Sequence, residues 1–321
     1  MAELRIGLAL GGGAARGWAH IGVLRALAEA GIVPDIVAGT SIGAVVGGCF
    51  VADRLDDLEA FARELTRRKV FGYLDFNLAG SGLITGQRLT ARIESALGDT
   101  TIESLPRKFA AVATEIGTGH EVWLSRGRLV DAMRASYALP GIFKPVNINE
   151  RWLFDGALVN PIPVSVCRAL GANYVIAVNL NSDLFGRGAI VPNLEAHAPP
   201  DTASDAESAP ANRGLGVRKL LQRQLFGQGN DGPGISTVMI DAFNIVQDRI
   251  ARSRLAGDPP DAILTPKLGG IGLFDFHRAD DLVMRGLAAA HREIDDLTRE
   301  IEARRRVGRP GRSPARESAA H

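Results

Sequence analysis

The stretch Ile36-Val37-Ala38-Gly39-Thr40-Ser41-Ile42-Gly43-Ala44-Val45-Val46 decides how this chain is read. An apolar triplet reads as a buried strand, and the apolar residues after Gly43 read as a helix. Between them stands Gly-x-Ser-x-Gly, the pattern of a nucleophile elbow, in which a strand turns so sharply into a helix that side chains on either side of the serine would collide. Such a turn lifts the Ser41 oxygen above the sheet and points the first helical amides towards it. The plainer alternative is a serine that merely caps a helix. By that reading Gly39 and Gly43 are incidental.

Working outward, residues 5–10 are a short apolar run bounded by glycine and read as another buried strand. Gly11-Gly12-Gly13-Ala14-Ala15-Arg16-Gly17 follows, and Ile21, Leu24, Leu27 and Ala28 then recur at helical spacing up to Gly31. Strand, glycine loop, helix, strand, elbow, helix implies parallel strands joined by right-handed crossovers. The loop's backbone amides are unobstructed by side chains, so it suits negative charge, either an oxyanion or the pyrophosphate of a dinucleotide. The dinucleotide fingerprint fails, because Arg16 stands where its last glycine should be and no acid ends the second strand. Further strands are expected at Phe109–Thr114, Val122–Leu124, Trp152–Phe154, Tyr174–Asn179 and Ala262–Leu264, with helices at Leu129–Leu139 and Val164–Leu170. The whole is a mixed α/β sheet with helices on both faces.

The 321 residues include 37 Lys and Arg against 36 Asp and Glu, so the net charge of +1 predicts no polyanionic partner and no nucleic acid. The two cysteines, Cys49 and Cys167, lie in apolar runs and read as buried free thiols of a reducing compartment. The apolar stretch at the N-terminus is too short for a secretory signal, and none is long enough to span a bilayer, so a cytoplasmic protein is expected. From about 182 to 233 the composition turns to Gly, Pro, Ala, Ser and Asp, which predicts a mostly disordered insert within a single domain of residues 1–303. Residues 304–321, rich in Arg, Pro and Gly, are expected to form a basic disordered tail.

A serine nucleophile needs a base, and histidine is the usual one. Of six histidines, His20 lies in the first helix, His197 in the insert, His291 on a polar helix and His321 at the end, leaving His120 and His277 as conceivable partners. An α/β-hydrolase is excluded, because its elbow follows a fifth strand and only 38 residues precede Gly39.

Four blocks in order, Gly11–Gly17, Gly39–Gly43, Ala135-Ser136-Tyr137-Ala138-Leu139-Pro140-Gly141-Ile142-Phe143-Lys144-Pro145 and Asp155-Gly156-Ala157, resemble the patatin-like phospholipase family. The nearest likeness is to its bacterial branch, which resembles the esterase domain of neuropathy target esterase. The resemblance covers about residues 5–180, with an echo at Asp261–Pro266. It implies a three-layer patatin-like fold with a mainly parallel central sheet, and a Ser-Asp dyad without histidine that cleaves phospholipid or lysophospholipid acyl esters without calcium. Ser41 matches the nucleophile and Asp155 its base. Gly11, Gly12, Gly13 and Arg16 match the oxyanion loop, and Gly39 and Gly43 the elbow. No cofactor or metal is implied.

The residues fit that implication. Asp155 ends the apolar segment Trp152-Leu153-Phe154, and Gly156 leaves room for close approach to the elbow. Asp-Gly taken alone would read as a hairpin turn. A free aspartate is a weak base for a hydroxyl, so the site must desolvate Asp155 and raise its pKa. With an alcohol or second lipid in place of water, the same residues would make a transacylase. A non-catalytic regulatory member of the fold is the other alternative. Within the insert, Arg213–Gly227 pairs Arg213, Arg218, Lys219 and Arg223 with Val217, Leu220, Leu221 and Leu225, an amphipathic pattern expected either to pack as a lid or to lie peripherally at the inner membrane surface. Phe71–Phe76 and Pro140–Val146 are candidates for the acyl pocket wall.

Overall fold

The structure is a computed structural model that describes residues 3–73, 87–183, 228–229, 232–233 and 235–308. Its large unit comprises Met1–Leu184 and Val246–His321. The small unit, Phe185–Ile245, contributes a two-residue antiparallel pair, Gln228–Gly229 with Gly232–Pro233, and the start of one helix.

The strands of the large unit are β1 (Ile6–Leu10), β2 (Ile36–Thr40), β3 (Lys108–Glu115), β4 (Glu121–Leu124), β5 (Val146–Ile148), β6 (Arg151–Asp155), β7 (Tyr174–Val178) and β8 (Ala262–Leu264). They form one sheet in the order β8-β7-β1-β2-β3-β6-β5, with β4 added to β3. Strands β8, β7, β1, β2 and β3 are parallel, β4 and β6 each run antiparallel to β3, and β5 pairs antiparallel with β6. Every residue of β1, β2 and β7 is buried, as continuous apolar runs must be when both faces of a parallel sheet are covered.

The helices are α1 (Ala19–Glu29), α2 (Ile42–Val51), α3 (Leu55–Glu64), α4 (Arg67–Tyr73), α5 (Gln87–Leu97), α6 (Leu129–Tyr137), α7 (Val164–Ala169), α8 (Ile235–Gly257) and α9 (Ala279–Gly308). Alternation along the strands separates two cores. Leu8, Leu10, Val37, Phe109, Ile176 and Val178 face α1, α2, α6 and α9, whereas Ala9, Ala38, Ala110, Val112 and Ala177 face α7 and Ala251 of α8. The second face is alanine-rich, which brings its helices close to the sheet. This is the three-layer α/β arrangement expected, with the sheet mostly parallel and helices on both sides.

The boundaries differ in two places. Helix α9 continues through Arg304 to Gly308, past the expected start of the tail, because Arg304 reaches Asp261 at 2.9 Å and Glu300 at 3.0 Å and lies over the Tyr174 ring. Residues 309–321 lie outside the described residues. At the start of the expected insert, Asp183 is tied in by accepting the Gly269 N–H at 2.7 Å. Most of the insert, including Arg213–Gly227 and His197, lies outside the described residues, as do 74–76 of the proposed pocket wall. Among the described residues no helix is long and apolar enough to cross a membrane.

Candidate active site

The elbow forms where β2 ends and α2 begins. Ser41 adopts φ 57° and ψ −124°, a conformation that costs an L-residue about 1–3 kcal/mol and is held by its surroundings. The flanking glycines are steric necessities. A Cβ on Gly39 would lie 2.4 Å from the Gly43 carbonyl oxygen, and one on Gly43 would lie 2.2 Å from the Leu10 carbonyl oxygen. The Ser41 N–H donates to the Oγ of Ser136, a fully buried residue at the end of α6, at 2.8 Å. Ser41 does not cap its helix with its side chain, so the hydroxyl is free for another partner.

That partner is Asp155. The Ser41 hydroxyl donates to Asp155 Oδ2 at 2.6 Å, and the other carboxylate oxygen accepts the Ala157 N–H at 2.8 Å. Asp155 is only 2% exposed. Burial pushes its carboxyl from 3.8 up to about 7, against the opposing pull of the Ser41 and Ala157 hydrogen bonds. Its backbone is fixed as well, the N–H donating to Ala138 at 3.0 Å and the carbonyl accepting from the Thr114 hydroxyl at 2.8 Å.

The pairing follows from register. On the edge of β3 opposite β4, β2 pairs Thr40 with Val112, and β6 arrives from the other direction to pair Asp155 with Ala113. The two strands therefore meet end to end along one rail, and Ser41 and Asp155 meet with them. Gly156 is the residue that permits this, since a Cβ there would sit 2.2 Å from the Val112 carbonyl oxygen.

Residues 8–168 match the patatin-like phospholipase family. The chain belongs to this family. An uncharacterised NTE family protein of Mycobacterium tuberculosis is 33% identical over 91% of this chain and 93% of its own length. The lysophospholipase nte1 of Emericella nidulans is 35% identical over 55% of this chain and 12% of its own length. Among solved structures, VipD from Legionella pneumophila covers 92% of this chain and 67% of its own, with 12% identity and a TM-score of 0.46.

In this chain the glycine loop lies beside Ser41, for a Cβ on Gly12 would be 3.5 Å from the Ser41 Cβ. Its amides are not equivalent. The Gly11 N–H donates to Val178 at 3.1 Å, extending the β1–β7 ladder, and the Gly12 N–H donates to Pro161 at 3.0 Å. The N–H groups of Gly13 and Ala14 meet no acceptor among the described residues. Of the three glycines expected in the oxyanion loop, Gly11 and Gly12 thus have their N–H groups engaged, whereas that of Gly13 has no acceptor among the described residues. Ile42 and Gly43, first in α2, also carry amides that helix geometry leaves unpaired.

The Arg16 side chain has partners of its own. Its Nε donates to the Ile271 carbonyl at 3.0 Å and its Nη1 to Asn181 Oδ1 at 2.9 Å, while its own N–H donates to Gly13. Burial lowers its pKa to about 10, opposed by Asp183 and Asp275, so it remains a cation at neutral pH.

The described histidines are engaged elsewhere. His20 is fully buried in α1 and its Nε2 lies 2.8 Å from the Gly11 carbonyl oxygen, so Nε2 carries the hydrogen. Burial holds its pKa down at about 4, and its Nδ1 has no partner among the described residues. His120 faces Glu115 at 3.7 Å, and His277 accepts from Arg67 at 3.1 Å. Among the described residues no group of three His, Cys, Asp or Glu side chains is placed to hold a metal ion. Cys49 and Cys167 are buried and unpaired.

Proposed function

We propose that this protein is a lipid acyl-ester hydrolase with a phospholipase A or lysophospholipase type of reaction, and that Ser41 and Asp155 are its catalytic pair. One observation carries this reading: the Ser41 hydroxyl rests 2.6 Å from a carboxylate that is 2% exposed and pushed up to about 7. At that value Asp155 is ionised in a large fraction of molecules at neutral pH, yet basic enough to accept a proton.

Ser41 Oγ attacks the ester carbonyl carbon while its proton passes to Asp155 Oδ2. The carbonyl oxygen becomes an oxyanion, met by the unpaired N–H groups of Gly13 and Ala14. Each such donor contributes about 10²- to 10³-fold in rate. The intermediate collapses by breaking the ester C–O bond, and the departing alcohol takes the proton from Asp155. Water then attacks the acyl-serine, giving its proton to the same carboxylate, and Ser41 recovers it as the fatty acid leaves. The strained elbow and the positive end of α2 hold the nucleophile for both halves. The match to the patatin-like phospholipase family and the likeness to a fungal lysophospholipase support a lipid ester as substrate.

The test is labelling with a fluorophosphonate probe beside turnover of lysophosphatidylcholine. Wild type should be labelled and active, and Ser41→Ala should lose both. A folded wild type that neither reacts nor hydrolyses the lipid refutes the reading.

A further inference from the structure

Behind the glycine loop lies a chain of buried polar contacts that the reaction itself does not use. Asn181, buried just beyond the end of β7, donates from Nδ2 to the Gly12 carbonyl at 3.3 Å, and its Oδ1 accepts from Arg16 Nη1 at 2.9 Å. The orientation of this amide is not arbitrary. A guanidinium can only donate, so the Asn181 oxygen must face Arg16 and its NH2 must face Gly12. Arg16 is anchored in turn on the Ile271 carbonyl at 3.0 Å, and Asn181 by donation of its own N–H to Asn179 Oδ1 at 2.9 Å.

A trans peptide is planar, with C=O and N–H pointing in opposite directions. The Gly12 carbonyl is drawn towards Asn181, so the N–H on the opposite edge of that peptide, that of Gly13, is directed away from the Arg16–Asn181 side. It is also one of the two loop amides without an acceptor among the described residues. The neighbouring peptide is pinned too: the Gly11 carbonyl accepts from His20 at 2.8 Å, and the Gly12 N–H donates to Pro161 at 3.0 Å. Glycines have no side chain to resist rotation of their peptides, so the aim of the Gly13 N–H depends on what holds the far side.

From this we infer that Asn181, oriented by Arg16, is a positioning residue that aims the Gly13 N–H at the oxyanion formed on the Ser41 acyl centre. The inference rests on the ester-hydrolase reading above. Preorganisation of this kind acts on the transition state far more than on the bound ester, because the carbonyl oxygen becomes a strong acceptor only when it carries charge.

The experiment compares wild type with Asn181→Leu, which removes the donor at similar volume, using p-nitrophenyl butyrate as substrate. A long-chain alkyl trifluoromethyl ketone, whose serine adduct carries an oxyanion, serves as inhibitor. The expected result is a kcat lower by about ten- to a hundredfold, KM within about twofold, and a ketone Ki raised by a factor matching the loss of kcat. The pH midpoint should stay where wild type has it, since Asp155 is untouched. Unchanged kcat and Ki, a change in KM alone, a loss of kcat without a matching rise in Ki, or a moved pH midpoint each overturns the inference. If Asn181→Leu does not fold, Asn181→Asp decides by the same criteria, because it keeps an oxygen for Arg16 while placing an acceptor against the Gly12 carbonyl. Failure of the hydrolase reading itself would appear in wild type, as absence of turnover and of ketone inhibition, and would remove the inference along with it.

Discussion

Asp155→Asn replaces a buried carboxylate by an amide of the same shape. The side-chain oxygen can go on accepting the Ala157 N–H, and the new NH2 can donate to Ser41 Oγ, so packing is preserved. What disappears is an ionisation. In the folded protein the Asp155 carboxyl titrates at about 7 and in the unfolded chain near 3.8. Below the lower value both states are protonated and the group does not change stability with pH. Between the two, the unfolded chain ionises while the folded protein stays neutral, so wild-type stability falls as pH rises, and above about 7 the loss is complete. The interval of about three pH units corresponds to about 4 kcal/mol. The Asn variant lacks this titration, so its advantage over wild type should grow from pH 4 to pH 7 and then level off. At about 2 °C of Tm per kcal/mol, the plateau is about 8 °C. Calorimetric melts of both proteins at pH 5, 6, 7 and 8 measure it. Over the same range wild-type kcat/KM should rise about tenfold per pH unit below 7 and flatten above, while the variant loses about 10²- to 10⁴-fold of the activity. A Tm difference that does not vary with pH, or a wild-type rate that is flat through neutrality, refutes the claim that burial tunes this carboxylate.

Two further substitutions probe how the pair is held. Gly156→Ala places a methyl group 2.2 Å from the Val112 carbonyl oxygen, where backbone must move, and should cost about 2–3 kcal/mol and slow fluorophosphonate labelling at least tenfold; unchanged Tm and labelling would show that β6 does not need its close approach to β3. Ser136→Ala removes the acceptor of the Ser41 N–H and should cost about 1–3 kcal/mol while lowering kcat, as seen by thermal melts and ester turnover. A variant as active and stable as wild type would mean that the elbow keeps its geometry without Ser136.

The parts of the site that were legible in the sequence are those whose signals are local. Gly39, Ser41 and Gly43 lie within one turn, whereas Asp155-Gly156, which taken alone reads as a hairpin turn, was assigned only through the resemblance to the family. The supports were hidden because they act across long separations. Arg16 stands in the loop block, yet its partners Ile271 and Asn181 are 255 and 165 positions away, so its place behind the loop is not visible in any window of sequence. Asn181 sits where composition begins to change, and was read as the border of an insert. Which loop amides remain free depends on Val178 and Pro161 as acceptors, a tertiary matter. In the fold, β1, β2, β3, β7 and β8 were readable from short apolar runs, whereas β5 has three residues and no pattern. Helix α3 did carry a readable stripe in Leu55, Leu58, Phe61 and Ala62, all buried. In α8, buried Gln247 and Asp248 interrupt the apolar periodicity that would have announced it.

The end-to-end meeting of β2 and β6 along β3 has a consequence for how this chain can change. Ser41 and Asp155 are 114 positions apart, yet their spacing is set by two adjacent residues, Val112 and Ala113. Strand β3 works as a ruler, and of the described elements hung between its two users only α6 and the residue after it, through Ser136 and Ala138, also touch the pair. Segments between α2 and β3 can therefore lengthen, shorten or be exchanged, remodelling the surroundings of the site, without changing the register that brings Ser41 and Asp155 together. One residue inserted into β3 itself between those two positions would slide one partner by about 3.3 Å and turn the following side chains to the opposite face of the sheet.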